Sequence, residues 1–578
     1  MMQFKIILKK GLFFTALVFI TISCYSKLLN AAPNTGDLQR NEENLLKKEI
    51  LPKKIPESLL KKEEIVDSLD GDQKILVKKF QFIGELDFVP IETLQDLIKE
   101  FNGKELNFGE IQSVVNVINR YFQNQGLLVA RAYLPKQEVK DNIISIALYK
   151  GKLDADQPYR VLSQGLKLKE DKIFGYLDKA LERGLTYSSL ERAILNINDN
   201  PNISTKASLE PGDQTGETRI VLDIVEGKFI TQNVSVNNHG SRYTGKNRAT
   251  VSTSFNNPRS IGDRIDLNLS KSEDDFESIE LKYNFPIGED GWRVETSYSY
   301  FDYKIGKELA SSNILGDSEN YKFNARYPFY RTALESLFID LNYEEKYLYS
   351  ETAGSATSNK ELKNYALGFE WNKVDYFYGG GFTQIKPTIT FGDLDLSKVA
   401  SSLNSDNTGA RTNGSFEKTT VDIARIQKIK DNLNLHLFAT TQFASKNLDS
   451  SEKLSLGGPA GVRAYPVGEA TGDEGYRYSI DAKYDIIKPK YFDKLTAIAF
   501  YDFGMVTQYT DLKNLSVSNN TYSLEGYGIG FEAMKGENIS LKATFAKAIG
   551  GNPGASNGKN TDGLADDEQL FISLNIKF

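Results

Sequence analysis

From Phe229 to Phe578 the three-and-four spacing of apolar residues that marks helices disappears, and the chain alternates instead, apolar then polar, in one short run after another. Arg264-Ile265-Asp266-Leu267-Asn268-Leu269, Asn432-Leu433-Asn434-Leu435-His436-Leu437 and Leu570-Phe571-Ile572-Ser573-Leu574-Asn575-Ile576-Lys577-Phe578 are examples, and there are about sixteen such runs. Period-two alternation gives each strand two faces of different character. A closed barrel, lipid outside and a polar lumen inside, satisfies both faces and leaves no unpaired edge. The connections alternate in length as well. Asn257 to Gly262, Pro286 to Asp290, Pro328 to Thr332 and Lys488 to Lys490 are tight, whereas Lys304 to Ser318, Gly392 to Asn413, Ser445 to Gly475 and Gly550 to Asp567 are long. Short turns at one end and long loops at the other are the expected asymmetry of a transmembrane barrel.

Composition removes the competing membrane architecture. With 40% hydrophobic residues and a mean hydropathy of −0.40, the chain cannot supply a bundle of membrane helices. A barrel escapes this limit because only alternate residues face lipid, and 30 Tyr, 33 Phe and 45 Gly suit strands with aromatic girdles. A net charge of −7 offers no basic footprint, so no nucleic-acid partner is expected. Cys24 is the one cysteine, and His239 and His436 are the two histidines, which leaves almost no material for thiolate, metal or triad chemistry. Glu273-Asp274-Asp275 lacks a Gly-containing calcium-loop signature and reads as a solvated outer loop. No Gly-x-x-x-x-Gly-Lys-Ser/Thr loop is present. The expectation is a non-enzyme without cofactor, metal or catalytic residues.

Lys5, Lys9 and Lys10 precede an apolar run from Gly11 to Ser23 that is short for a membrane span and reads as a secretory signal, with residues 1–32 removed on export. Thr21-Ile22-Ser23-Cys24 offers lipidation at Cys24 as the alternative, with Thr21 where an aliphatic residue is usual. Residues 33–73 are polar, charged and interrupted by Pro52 and Pro56. A disordered linker is one reading; within it Gln39 to Leu51, carrying Leu45, Leu46, Ile50 and Leu51, has the pattern of a short helix.

Residues 74–153 read as strand, two helices and two strands. Ile75, Val77, Phe80 and Phe82 lie in an extended run, Pro90 to Phe101 is helical, and Phe108, Ile111, Val115, Ile118 and Phe122 form one helix face. Asn107 caps that second helix with Glu110 reaching back, and Leu127 to Leu134 and Ile143 to Gly151 complete a small sheet. Residues 154–228 repeat the pattern: Ser188 and Glu191 read as a capping box, Leu190, Ile194 and Ile197 as the helix face, and Ile203 to Leu209 and Thr218 to Gly227 as strands. Residues 229–578 form the barrel.

One stretch inside the barrel region does not alternate. Leu454 to Tyr476 is too long for a hairpin turn and too rich in Gly and Pro for a helix, and Arg463 lies in its middle. About forty residues later comes Phe500-Tyr501-Asp502-Phe503-Gly504, one carboxylate among aromatics, where a charge is rarely buried unless paired. The expectation is that Arg463 and Asp502 meet; the alternative is a solvated arginine on a mobile outer loop. Gly457-Gly458-Pro459, Val462-Arg463-Ala464-Tyr465 and Phe500-Tyr501-Asp502-Phe503-Gly504 resemble the sixth-loop motif Val-Arg-Gly-Tyr/Phe and the Phe-x-Asp-x-Gly strand motif of BamA-like outer-membrane barrels. Within that superfamily the chain is most similar to two-partner secretion transporters, the haemolysin secretion/activation proteins of the ShlB and FhaC type. Ala464 departs from the usual Gly of the motif.

The resemblance implies α+β POTRA modules (polypeptide-transport-associated domains) ahead of an all-β barrel of about sixteen antiparallel strands. It also implies a loop–barrel lock of Val462, Arg463, Tyr465, Phe500, Asp502 and Gly504, supported by Gly457, Gly458, Pro459 and Gly461. The helix near Gln39 becomes a plug. Ile572, Leu574, Ile576 and Phe578 resemble the carboxyl-terminal signal read by the barrel-assembly machinery. A soluble β-sandwich would not explain a signal peptide, loop asymmetry and a terminal Phe together. The function implied is a monomeric translocator in outer-membrane lipid that takes an unfolded exoprotein, of adhesin or cytolysin type, from the periplasm to the outside. A membrane-protein insertase of the same superfamily and a passive porin or receptor are the alternatives.

Overall fold

The computed structural model describes residues 33–46, 73–214, 216–487 and 489–578. The proposed signal peptide with Cys24, most of the linker and the end of the helix expected to reach Leu51 lie outside them, as does Lys488 of one tight turn.

Sixteen antiparallel strands close into a barrel, the first, Ile230–Asn237, pairing with the last, Glu568–Lys577, through Asn233 to Asn237 against Lys577 to Ser573. Alternation decides which residues face out. Leu281, Phe323, Leu341, Tyr365 and Ile529 stand exposed on the outer wall, whereas Ile498, Phe500, Asp502 and Val506 of the thirteenth strand, Lys494–Thr507, are buried against material in the lumen. The seventh strand, Glu335–Thr352, and the eighth, Ser355–Asp375, have 18 and 21 residues. About 9 to 11 suffice to cross a bilayer, so these strands extend well beyond it. Connections at the module end are short turns. At the opposite end they run from residues 353–354 to residues 445–473, the latter joining strands eleven and twelve. One of these far loops contains a helix, Ala400–Thr408, that was not read from sequence. Its Ser-, Asn- and Asp-rich sequence carries no apolar stripe, so periodicity could not reveal it.

Two α/β modules precede the barrel. In the first, Lys79–Gly84 runs parallel to the central strand Ile143–Tyr149, with Arg131–Tyr133 antiparallel on its other side, under helices Ile91–Ile98 and Phe108–Asn124. The side chain of Asn107 accepts from the Glu110 N–H at 2.8 Å, and the Glu110 carboxylate accepts from the Asn107 N–H at 2.7 Å. A short ribbon, Ile75–Val77 with Lys104–Leu106, adds a strand pair not read from sequence. Arg131–Tyr133 is shorter than the expected Leu127 to Leu134, because Leu128 and Val129 leave the sheet to pack in the core of the second module.

The second module contains helices Glu170–Leu181 and Tyr187–Asn198 and an antiparallel pair, Ile203–Pro211 with Glu217–Glu226. The expected Ser188–Glu191 capping box is not formed. Thr186 is the cap, its Oγ1 accepting from the Ser189 N–H at 3.2 Å. Helical backbone begins at Tyr187, so Ser188 already lies inside the first turn, and Glu191 is buried. Lys152 and Leu153, assigned to the first module from sequence, pair with Glu217 and Thr218 of the second.

Candidate functional site

The loop between the eleventh strand, Leu433–Ala444, and the twelfth, Glu474–Asp485, turns back into the lumen. Its neck is a two-residue ribbon, Leu454–Ser455 with Thr471–Gly472. Leu456, Val462, Ala464 and Tyr465 are buried against Ile498, Phe500, Val506, Leu524 and Ala546 of the wall. Burial of several apolar side chains, each worth about 1.5–3 kcal/mol when complete, contributes to seating the loop.

The glycines make this seat possible. A Cβ on Gly461 would stand 1.9 Å from the Leu456 carbonyl, and one on Gly457 2.3 Å from that of Pro466. Gly458 has φ +110°, a conformation L side chains avoid. Pro459 lines a lumen cavity of about 370 Å³, beside Arg463 and Asp481. On the wall, a Cβ on Gly504 would meet Leu456 at 2.6 Å. Ala464, the departure from the motif, needs no left-handed backbone. Its methyl instead fills space left by Gly526 of the fourteenth strand, where a Cβ would lie 2.6 Å from it.

Arg463 reaches the wall. Its Nε donates to Asp502 Oδ2 at 2.9 Å, its Nη2 to Asp502 Oδ1 at 2.7 Å, and its backbone N–H to Oδ2 at 3.0 Å. The same guanidinium donates to Asp481, Nη2 to Oδ1 at 2.5 Å and Nη1 to Oδ2 at 3.2 Å, and stacks 3.5 Å over the Phe500 ring. Planar, forked donors suit two carboxylates at once. Asp502 is fully buried and Arg463 is 6% exposed. Sequence reasoning missed Asp481. The one available signal was alternation: in Arg477-Tyr478-Ser479-Ile480-Asp481 the residues Arg477, Ser479 and Asp481 share the lumen-facing side of the twelfth strand, and all three line the cavity beside Arg463.

The helix Thr35–Leu46 lies in the lumen against the sixth and seventh strands, Ile314–Arg331 and Glu335–Thr352. Thr35 Oγ1 donates to the Tyr349 carbonyl at 2.6 Å, and Ser318 Oγ to Gln39 Oε1 at 2.8 Å. Arg40 donates to the Ser450 carbonyl of the inturned loop, and Glu42 accepts from Arg248. Lys346, 1% exposed, lies 3.1 Å from Glu43 of the helix and 2.9 Å from Glu452 of the loop, so one ammonium joins both lumen elements to the wall. Glu469, near the far end of the loop, accepts from Thr561 N–H at 2.6 Å and from Asn552 at 2.8 Å, and burial pushes its carboxyl up. None of these cross-lumen partners was identified from sequence.

At the chain end, Ile572, Leu574 and Ile576 share one face of the last strand, Leu574 and Ile576 opposite Val236 and Val234 across the closing seam. The Phe578 N–H donates to the Gln232 carbonyl at 2.9 Å, and its side chain stands 60% exposed. The second module meets the barrel turns through Arg183–Asp290 at 2.9 Å, Lys172–Glu289 at 2.9 Å and Arg331–Asp199 at 2.5 Å.

The profile of the haemolysin secretion/activation protein family ShlB/FhaC/HecB matches residues 216–533, and that of the ShlB-type POTRA domain matches residues 75–151. A heme/hemopexin transporter protein HuxB of Haemophilus influenzae (strain 86-028NP) is 25% identical over 84% of each chain. The outer membrane transporter CdiB of Escherichia coli O6:K15:H31 is 22% identical over 69% of this chain and 67% of its own length. In fold, the chain is similar to a solved CdiB from Escherichia coli, with a TM-score of 0.66 at 17% identity over 96% and 97% of the two chains. It is also similar to BamA from Haemophilus ducreyi lacking POTRA domains 1–3, with a TM-score of 0.51 at 15% identity over 87% and 100%. Members of the matching family are transporters rather than enzymes, and the fold places a POTRA domain ahead of a closed barrel. The chain belongs to the haemolysin secretion/activation family ShlB/FhaC/HecB and is an outer-membrane two-partner secretion transporter.

Proposed function

We propose that this transporter takes an unfolded exoprotein on its two periplasmic modules, residues 74–153 and 154–228, and passes it outward through the barrel as an extended chain. The observation that carries this reading is that the lumen is filled by two elements held by ion pairs, the helix Thr35–Leu46 and the loop around Arg463. Such an obstruction can leave without unfolding the wall. In this reading Arg463 with Asp502 and Asp481 is a lock, Val462, Tyr465, Phe500 and Gly504 shape its seat, and the amino-terminal helix is a plug. Residues 1–32 are the export signal. Phe578 with Ile572, Leu574 and Ile576 presents the strand read by the barrel-assembly machinery. The transporter acts as a monomer, with no cofactor and no nucleic acid. Folding of the exported chain outside favours outward movement, since nucleotide is absent from the periplasm.

The wider match to heme/hemopexin transporter proteins makes a client of that kind the first to test, ahead of an adhesin or cytolysin. The deciding experiment deletes this gene and compares the medium with the outer membrane. Loss of one large exoprotein from the medium, with other barrels intact, supports export. Loss of many barrels would indicate an insertase, and solute uptake defects alone a porin.

A further inference from the structure

One edge of each periplasmic module is closed by the same device. In the first module, the edge strand Arg131–Tyr133 turns the backbone groups of Ala132 away from its neighbour in the sheet. Asn119, on the helix Phe108–Asn124, takes both of them: its Oδ1 accepts the Ala132 N–H at 2.7 Å and its Nδ2 donates to the Ala132 carbonyl at 3.0 Å. In the second, Asn198, the last residue of the helix Tyr187–Asn198, does the same to Thr205 of the edge strand Ile203–Pro211, at 2.6 and 3.4 Å. Each amide follows an isoleucine of the module core, Ile118 and Ile197, so the position recurs along with the fold. A carboxamide carries the donor and the acceptor of a peptide group, and here it stands where the peptide group of a further strand would.

Satisfying buried backbone does not by itself account for the amides. Alternation puts Ala207 and Leu209 on the same outer edge as Thr205, and Ala207 is 2% exposed, yet among the described residues nothing pairs with their N–H and C=O groups. The edge holds one filled rung beside an unfilled ladder. Its course points to what fills it. Its start, Ile203, lies three residues past Asn200, which accepts from Arg293 of the barrel rim at 3.0 Å. Its far end, Glu210 and Pro211, meets Arg131 and Tyr133 of the first module's edge across a cavity of about 240 Å³. The two closed edges converge on that cavity, and the longer one runs from it to the barrel mouth. We propose that Asn119 and Asn198 are autoinhibitory guards, displaced when an extended segment of the exoprotein pairs its backbone with Ala132 and with Thr205 to Leu209. This rests on the export reading and deepens it: a chain laid along the longer edge is delivered to the lumen. Main-chain pairing gives affinity without a fixed side-chain sequence, which suits a client in transit.

The test uses the full chain in phospholipid nanodiscs. The probe is a fluorescein-labelled peptide of alternating Val and Thr, compared with the same peptide N-methylated at each central residue, which donates no ladder hydrogen bond. Asn119→Ala with Asn198→Ala should bind the unmethylated peptide about tenfold more tightly than the parent, because the amide bonds at each edge no longer compete. The methylated peptide should bind neither protein. Hydrogen exchange locates the contact: saturating unmethylated peptide should slow the N–H groups of Ala207 and Leu209 about tenfold in the parent itself, a measurement that stands even where the variant loses its helices. Unchanged or weaker peptide binding by a variant whose helices stay protected, equal binding of the methylated peptide, dimerisation of the variant in place of peptide binding, or unslowed Ala207 and Leu209 in the parent would overturn the proposal. If the deletion strain loses no exoprotein, the export reading fails, whereas peptide affinity and exchange are read on purified protein and decide the guards separately.

Discussion

Arg463→Ala is the most informative perturbation of the lumen. The guanidinium makes four hydrogen bonds of 3.2 Å or less to two carboxylates, and the backbone N–H a fifth, in a site where Asp502 is fully buried. Removing it leaves two carboxylates facing each other without a cation. Breaking a buried pair costs about 3–5 kcal/mol. The adjoining lumen cavity of about 370 Å³ admits water, so the lower end, about 3 kcal/mol, is expected. At 1.4 kcal/mol per tenfold, the unseated loop becomes about a hundredfold more populated. Asp481→Asn keeps one cation against one carboxylate and should cost only about 1 kcal/mol. The assay is proteinase K cleavage of the loop between residues 454 and 472 on intact cells, with heat-modifiable migration as the check on barrel folding. Arg463→Ala should be cut far faster and export less exoprotein; Asp481→Asn should resemble the parent. Equal cleavage of Arg463→Ala and the parent, or an Asp481→Asn variant as damaged as Arg463→Ala, would refute the reasoning.

Packing, charge and caps supply the remaining tests. Gly461→Ala puts a Cβ against a backbone carbonyl and should unseat the loop more than Gly504→Ala, which meets only the tip of Leu456; the same proteolysis ranks them. Lys346→Met leaves Glu43, Glu344 and Glu452 without their shared cation and should raise single-channel open probability about tenfold or more. Thr186→Ala should lower the stability of the second module by about 1 kcal/mol, read by hydrogen exchange along Tyr187–Asn198. Backbone N–H donation, first from Gln157, with Arg219 nearby, holds the Asp154 carboxyl at about 2. Its folded value lies below its ordinary 3.8, so the stability it adds is present above 3.8 and is lost as pH falls through about 2. Asp154→Asn should flatten hydrogen exchange at Tyr159–Val161 across that window.

Features whose physics is local were legible in the chain before any fold was known. Period-two alternation specified strands and their two faces, and the Asn107–Glu110 cap was readable because its partners lie three residues apart. The helix Ala400–Thr408 and the Thr186 cap escaped because one lacks an apolar stripe and the other precedes a more conspicuous serine. Motif resemblance brought Arg463 and Asp502 together, but it gave no sign of Asp481, Lys346 or the Gly526 hollow that receives Ala464. Those depend on closure. Only when sixteen strands meet with one register do residues 18 to 106 positions apart, such as Arg463 with Asp481 and Lys346 with Glu452, face each other across a shared lumen. Burial there makes each unpaired charge costly, and that cost, absent from any local pattern, selects the pairs that form once the barrel has closed.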